Sequence, residues 1–162
     1  MKIALAQINP TIGDFVNNLA IMSSTVDQAT KEGCRLVLFP ELAVTGYPPR
    51  DLLNRSSFVE AAQRALATWV ETLAPDAPAI ITGAVVNRNT HHRGRRLWNA
   101  GVYIDHNQIV SVHPKTLLPS YDVFDEDRWF EPLDEEPTLV EIDGVRIGVT
   151  ICDFIAKQDL LS

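Results

Sequence analysis

The chain has 162 residues, of which 46% are hydrophobic and 22% are charged, and its formal net charge is −7. This composition is typical of a folded globular protein of one domain or of part of a larger domain. The acidic balance argues against nucleic acid or an anionic membrane as the main partner. No apolar run approaches the ~20 residues of a membrane span, and MKIALAQI is too short for the core of a signal peptide. We therefore expect a cytoplasmic protein in which the thiols of Cys34 and Cys152 are free, with Cys34 in the core.

The first forty residues predict a strand, a helix and a second strand. Residues 2–8 are almost continuously apolar, as in a buried strand. Asp14 is placed to cap a helix whose apolar residues recur at spacings of three and four over 15–29, and Gly33 is placed to end it. Residues 34–40, CRLVLFP, form the second predicted strand. Strand, helix and strand in this order favour parallel strands joined by a right-handed crossover.

The rest of the chain predicts a second helix and more strands. After a long loop, Ser57 and Glu60 have the spacing of a capping box at the start of an amphipathic helix. Further strands are predicted at 77–86, 96–105, 108–114, 138–143 and 145–151. The HN dipeptide after residue 105 predicts a tight antiparallel hairpin, and the basic run HHRGRR at 91–96 a solvated hairpin tip. The fold class is therefore α/β, with two helices and roughly seven strands.

Three residues with complementary chemistry follow strand ends: Glu41, Lys115 and Cys152. Ligands of α/β sheets collect at the carboxyl ends of strands. A cysteine attacks a carbonyl as thiolate, a carboxylate can take its proton, and an ammonium can stabilise the oxyanion. Together they suit acyl transfer from an amide with ammonia as the leaving group. Singly, each also fits a plain role: a turn acid, a surface charge and a small core residue.

The segments around these residues carry a family resemblance. LVLFPELAVTGYPPRDLL, HPKTLLPSYDVFDEDRWFEP and GVRIGVTIC closely resemble the nitrilase superfamily of carbon-nitrogen hydrolases. Within it they resemble the N-terminal glutaminase domain of bacterial glutamine-dependent NAD synthetases. The resemblance covers essentially residues 1–152, and the stretch YDVFDEDRWF is its most specific part.

The resemblance implies a four-layer αββα sandwich and a Glu-Lys-Cys triad that hydrolyses the glutamine side-chain amide through a thioester. Glu41 matches the general base, Lys115 the oxyanion-stabilising lysine and Cys152 the nucleophile. The matches to the glutamine pocket are Tyr47, Tyr121, Phe124 and Glu126. In such homo-oligomeric enzymes the ammonia passes to a synthetase domain that amidates nicotinic acid adenine dinucleotide with ATP and magnesium.

The chain also departs from the family pattern. The family's Cys-Glu-Asp is replaced by Cys152-Asp153-Phe154, and no Gly-rich phosphate loop is present. We expect residues 1–162 to be part of the hydrolase domain, interrupted soon after the nucleophile and lacking the synthetase domain. Exposed sheet faces then predict self-association, and activity of the chain alone is expected to be weak or absent.

Alternative functions stay open at this stage. The chain could be an inactive remnant, another amidase of the superfamily or a module that binds through a sheet edge. The four histidines lack metal-ligand spacing, so neither a metal nor a cofactor is expected in the chain itself.

Overall fold

The computed structural model describes residues 1–88, 94–121, 124–133 and 139–152. The elements in chain order are β1 (Ile3–Leu5), α1 (Phe15–Lys31), β2 (Leu36–Leu38), α2 (Ser56–Glu71), β3 (Ala79–Asn87), β4 (Leu97–Asp105), β5 (Gln108–Pro114), β6 (Leu139–Ile142) and β7 (Val145–Gly148). Two short 3₁₀ helices lie at Arg50–Asn54 and Glu126–Arg128. Neither α-helix has the length and apolar character of a membrane span, and the described ranges hold no other candidate.

Five strands form one mixed sheet in the order β1-β2-β3-β4-β5. β1, β2 and β3 are parallel, and β4 and β5 are antiparallel to their neighbours. The parallel pairing predicted for the first two strands and the hairpin predicted for β4 and β5 are both confirmed. The hairpin turns at His106 and Asn107, whose φ angles of 46° and 58° are those of a tight primed turn.

The two helices cover one face of this sheet. Their apolar residues meet strand residues in a buried cluster that includes Met22, Val37, Trp69 and Val102. Cys34 belongs to this cluster, which confirms its predicted place in the core. On the opposite face, the separate hairpin of β6 and β7 packs against β2, β3 and β4. The candidate site therefore lies on the sheet face that the helices leave open.

The ends of α1 have the cap residues that the sequence predicts, whereas the start of α2 does not. The Asp14 carboxylate accepts a hydrogen bond from the Asn17 amide at 3.2 Å, and Gly33 follows the helix end with φ +70°. The predicted capping box at Ser57 and Glu60 is wrong. α2 begins at Ser56, directly after a 3₁₀ helix, and its N-cap Arg55 makes no side-chain capping bond. The Arg55 carbonyl accepts from the Phe58 and Val59 amides at 3.0 Å and 3.3 Å, and the Arg55 amide donates to the Leu52 carbonyl of the 3₁₀ helix at 3.0 Å.

Several strands are shorter than predicted, among them β2, which spans Leu36–Leu38 instead of residues 34–40. β1 covers only residues 3–5, and it is an edge strand with exposed side chains rather than a buried strand. Its apolar residues Ile3 and Leu5 face the side of the sheet that α1 and α2 do not cover, where described residues bury them only in part. β7 ends at Gly148 instead of residue 151, so Cys152 follows four residues after the strand. Asp153, Phe154 and residues 91–93 of the basic run lie outside the described residues.

Candidate active site

Glu41 is positioned by close contact between its backbone and β3. The Gly83 amide donates to the Pro40 carbonyl at 3.2 Å. A Cβ atom at Gly83 would lie 2.6 Å from the Glu41 Cα and 2.2 Å from the Leu42 nitrogen. Only glycine allows this approach, because a real Cβ never comes so near a backbone atom. The strand end and the glycine opposite it thus fix where the Glu41 side chain begins.

Lys115 enters the site from the end of β5. Its backbone amide donates to the Asn99 carbonyl at 2.8 Å, and its carbonyl accepts from Leu133 at 3.0 Å. The side chain is almost fully buried, and its Nζ lies 2.7 Å from Oε1 of Glu41. Two of the predicted residues, one from β2 and one from β5, are therefore in direct contact.

Glu126 supplies a second carboxylate to the same ammonium. Its Oε2 and Oε1 lie 3.0 Å and 3.2 Å from the Lys115 Nζ. The Tyr47 hydroxyl donates to Oε1 of Glu126 at 2.9 Å. The 3₁₀ helix at residues 126–128 places Glu126 with its side chain 6% exposed. With Glu41 and Glu126 ionised, two carboxylates and one ammonium form a buried cluster of net charge −1.

The cluster keeps Lys115 charged. Burial lowers the pKa of the Lys115 ammonium, but the bonds and charges of Glu41 and Glu126 outweigh burial and raise the pKa above its ordinary value. Burial also raises the pKa of the Tyr47 phenol, and its hydrogen bond to Glu126 adds to that shift. At neutral pH the site therefore presents a fixed cation and a neutral hydroxyl donor.

Cys152 shares an open apolar cleft with Glu41. The cleft has a volume of about 580 Å³, and its wall includes Phe39, Gly83 and Gly101. Cys152 is an exposed thiol, and its φ of +50° lies in the left-handed region that non-glycine residues seldom adopt. Strain at this position is typical of residues held for a functional purpose. The cleft therefore offers room for a substrate between the thiol and the carboxylate.

The aromatic residues predicted for the glutamine pocket form a group beside a second cleft of about 400 Å³. Tyr47, Phe124 and Glu126 line this cleft. The Tyr47 and Phe124 rings are 6.5 Å apart, and the Tyr121 ring meets Phe124 edge-on at 5.6 Å. Tyr121 is 61% exposed and is not among the residues that line this cleft. Tyr121 thus reaches the predicted pocket only through Phe124.

Sequence reasoning missed Asn99 and Gly83. The Asn99 amide nitrogen donates to Oε1 of Glu41 at 2.5 Å and lies 3.4 Å from Oε2 of Glu126. The available signal was a lone amide inside the apolar strand LWNAGVYID. In the described ranges no group of three or more His, Cys, Asp or Glu residues is arranged to hold a metal ion.

The sequence is similar to that of a known protein family. The sequence profile of the carbon-nitrogen hydrolase family matches residues 2–156. The chain belongs to this family. The resemblance to the nitrilase superfamily noted in the sequence is thereby confirmed.

Relatives of the chain are named glutamine-dependent NAD(+) synthetases. The chain is 44% identical to one from Synechocystis sp. and 35% identical to one from Thermotoga maritima. It covers 28% and 26% of those proteins, while 97% and 96% of the chain is matched. The chain therefore spans little more than a quarter of the length of these relatives.

Solved structures share the α/β fold. A glutamine-dependent NAD+ synthetase from Acinetobacter baumannii, in complex with ADP, matches 96% of this chain with a TM-score of 0.85 and 32% identity, over 28% of its own length. An amidase from Nesterenkonia sp. matches 94% of the chain with a TM-score of 0.75 and 23% identity, over 55% of its length. The α/β fold of the nitrilase superfamily is thus confirmed.

Proposed function

We propose that the chain carries the glutamine-hydrolysing site of a glutamine-dependent NAD synthetase. The observation that carries the proposal is the Lys115 ammonium held between Glu41 and Glu126 beside the cleft that contains Cys152. An acid-base carboxylate, a fixed cation and an accessible thiol are the three groups that amide hydrolysis through a thioester requires. The relatives named as glutamine-dependent enzymes supply the choice of amide.

In the first half-reaction Glu41 takes the proton of the Cys152 thiol, and the sulfur attacks the side-chain carbonyl carbon of glutamine. The carbonyl oxygen becomes an oxyanion, which the Lys115 ammonium stabilises. Glu41 then returns the proton to the amide nitrogen, the carbon–nitrogen bond breaks and ammonia leaves. Cys152 is left as a γ-glutamyl thioester.

In the second half-reaction water attacks the thioester while Glu41 accepts one of its protons. The carbon–sulfur bond breaks, glutamate is released and the proton returns to the Cys152 sulfur. Lys115 stabilises the second oxyanion in the same way as the first. Because its pKa is raised, Lys115 keeps its proton throughout and acts only as a cation.

Tyr47, Phe124 and Glu126 are proposed to receive the amino-acid end of glutamine, with Tyr121 at the rim. A carboxylate with aromatic neighbours suits a substrate that carries an ammonium group and an aliphatic stem. In the whole enzyme the ammonia would amidate nicotinic acid adenine dinucleotide with ATP and magnesium in a separate synthetase domain. Both cofactors thus belong to that domain and not to the residues described here.

The test is to incubate the chain with glutamine and measure glutamate by mass spectrometry, with Cys152→Ala as control. Even with weak turnover by the chain alone, intact-mass analysis after rapid acid quenching should show one added γ-glutamyl group on the wild type and none on the variant. Acetamide and propionamide serve as competing substrates. Hydrolysis of these simple amides with glutamine untouched would identify a different amidase, and absence of any acyl adduct would contradict the proposed chemistry.

A further inference from the structure

Asn99 is a buried neutral residue that contacts all three residues of the cluster, two carboxylates through its side chain and Lys115 through its backbone. It lies in β4, opposite Val85 of β3, and is 1% exposed. Its side-chain nitrogen donates to Glu41 at 2.5 Å and lies 3.4 Å from Glu126. Its backbone carbonyl accepts the amide hydrogen of Lys115 at 2.8 Å. One residue thus links loops that follow β2 and β5 to the 3₁₀ helix.

The hydrogen bonds of Asn99 are unevenly distributed. In the described part of the chain its Oδ1 is buried and has no hydrogen-bond partner, whereas Nδ2 faces two carboxylates. Turning the amide over would point Oδ1 at both carboxylates, so the orientation is fixed by charge. A purely structural asparagine would be expected to pair both ends of its amide. This one leaves its acceptor unpaired and gives its donor to the acid groups.

The contacts of Glu41 are equally uneven. Lys115 and Asn99 both donate to Oε1, at 2.7 Å and 2.5 Å. Two donors on one oxygen fix the rotation of the carboxylate and leave the lone pairs of Oε2 for proton transfer. A donor that bonds the charged form of an acid also favours that form. The cluster carries one more negative charge than positive charges. A neutral hydrogen-bond donor should therefore stabilise its carboxylates more than it would stabilise those of a one-to-one ion pair.

We propose that Asn99 is the positioning residue that holds Glu41 in the orientation and charge state needed to take the proton of Cys152. This inference rests on the proposed function, because it assigns Asn99 a task within that reaction. The titratable groups that face it are Glu41, Lys115 and Glu126, with Tyr47 bonded to Glu126 from the far side. Asn99 itself does not touch the substrate.

The test measures how fast Cys152 reacts with a diazo-ketone analogue of glutamine between about pH 5 and 9, followed by intact mass. Asn99→Ala removes the donor, so the rate at neutral pH should fall at least about tenfold. Its ratio to wild type should fall further as pH decreases, because carboxylates without the donor take up protons sooner. Dividing the labelling rate of the variant by that of the wild type removes the pH dependence of the reagent itself.

Asn99→Asp should show the opposite slope. At high pH it adds a third negative charge beside Glu41 and Glu126, and labelling should be slow. As pH falls the introduced carboxyl gains a proton, and its O–H can donate to Glu41, so the ratio to wild type should recover. A residue with a merely structural role would give both variants ratios that do not change with pH, and that result would overturn the proposal.

Asn87 provides the matched control. It is a partly buried asparagine in the neighbouring strand β3, and its Nδ2 donates to the Gln63 oxygen at 3.0 Å, away from the cluster. Asn87→Ala and Asn87→Asp should label at wild-type rates across the pH range. Slopes in the Asn87 variants equal to those at Asn99 would also overturn the proposal.

If the variants fail to fold, a measurement on the wild-type chain tests the inference instead. The side-chain amide ¹⁵N–¹H signals of Asn99 should titrate over the same pH range as Cys152 labelling, since their hydrogen bond ends on Glu41. A flat Asn99 signal across that range would overturn the inference. If the wild-type chain is not labelled at all, the proposed function fails. The inference then fails with it, whereas labelling of the wild type together with a flat Asn99 signal overturns the inference alone.

Discussion

At the scale of single residues, the cluster is one ammonium shared by two acids. Burying a charge is costly unless partners compensate for it, and here Lys115 compensates for Glu41 and Glu126 together. Because removal of one partner would leave a buried charge without compensation, the cluster also matters for folding. The effect of the cluster on folding stability and its proposed effect on Cys152 reactivity can be measured separately by substituting different members of the cluster.

Lys115→Met leaves two neighbouring carboxylates without their cation. We expect the free energy of unfolding to fall by about 3–5 kcal/mol at neutral pH, the cost of leaving buried charge unpaired. Urea unfolding followed by circular dichroism measures it. Lys2→Met is the control, because the Lys2–Glu32 pair is exposed and its loss should cost under about 1 kcal/mol. Equal small losses in both variants would contradict the buried cluster.

Ionisation of Tyr103 should lower the stability of the fold at high pH. Burial, with the nearby Asp105 carboxylate, raises the pKa of its phenol to about 12. In the unfolded chain the phenol releases its proton near pH 10, so between about pH 10 and 12 the unfolded state binds fewer protons than the folded state. Stability should therefore be lost as pH rises through this window.

Tyr103→Phe removes that contribution. We expect the variant to lose about 2–3 kcal/mol less than the wild type between about pH 10 and 12 in urea unfolding series. Raised pKa values of Tyr47 and Lys115 add to the wild-type loss and are unchanged in the variant. Parallel stability curves for the two proteins would show that the phenol is not held in its neutral form.

At the scale of elements, the contact between β3 and the loop after β2 determines the site. Gly83→Ala would place a Cβ within 2.2–2.7 Å of the Glu41 and Leu42 backbone. Because backbone atoms cannot turn aside as a side chain can, we expect a loss of about 3 kcal/mol or more and much slower Cys152 labelling. Chemical unfolding and intact-mass labelling measure the two effects.

Gly148→Ala is the matched control for that variant. Gly148 ends β7, and among the described residues an added Cβ there would meet only a Leu139 side-chain carbon at 3.7 Å, an ordinary contact. Its stability should change by under about 1 kcal/mol. Comparable losses at both glycines would mean that the close approach at Gly83 has no special role.

The elements also show what local sequence can and cannot predict. Apolar periodicity was enough for both helices and the strand pairing, and Asp14 and Gly33 were enough for the ends of α1. The capping box at Ser57 failed because a preceding 3₁₀ helix joins α2 at Arg55, a tertiary arrangement that the local motif does not encode. The exposure of β1 likewise depends on its place at the sheet edge.

The residues of the candidate site likewise fall into those that the sequence could predict and those that it could not. Glu41, Lys115 and Cys152 could be proposed because strand ends and family motifs mark them. Asn99 and Gly83 could not, since each contacts a residue more than forty positions away, and that distance closes only when β2 pairs with β3 and β3 pairs with β4. A lone amide in an apolar strand marks Asn99 as unusual but does not identify the residue that it contacts.

At the scale of the whole molecule, apolar side chains are exposed on the sheet face that α1 and α2 leave open. Ile3 and Leu5 of β1 and Val145 of β7 are each more than 40% exposed. Contiguous exposed apolar surface and open strand edges favour association between chains. We propose that copies of the chain associate through this face.

Sedimentation velocity over a range of concentrations tests the association. The wild type should form dimers or larger species, and Leu5→Lys should shift the distribution toward monomer by placing a charge on that face. Val16→Lys is the control, because Val16 is an equally apolar, 80% exposed residue on α1, on the other side of the sheet. A compact wild-type monomer at all concentrations would contradict the proposal.

We propose that Cys152 is a nucleophile assembled with Glu41 and Lys115 for glutamine. The decisive measurement is intact-mass spectrometry after exposure to a diazo-ketone analogue of glutamine, with Cys152→Ala as control. We expect one label per chain, lost in that variant and slowed by added glutamine. Absence of that label, with Cys152 freely alkylated by a small thiol reagent, would contradict it.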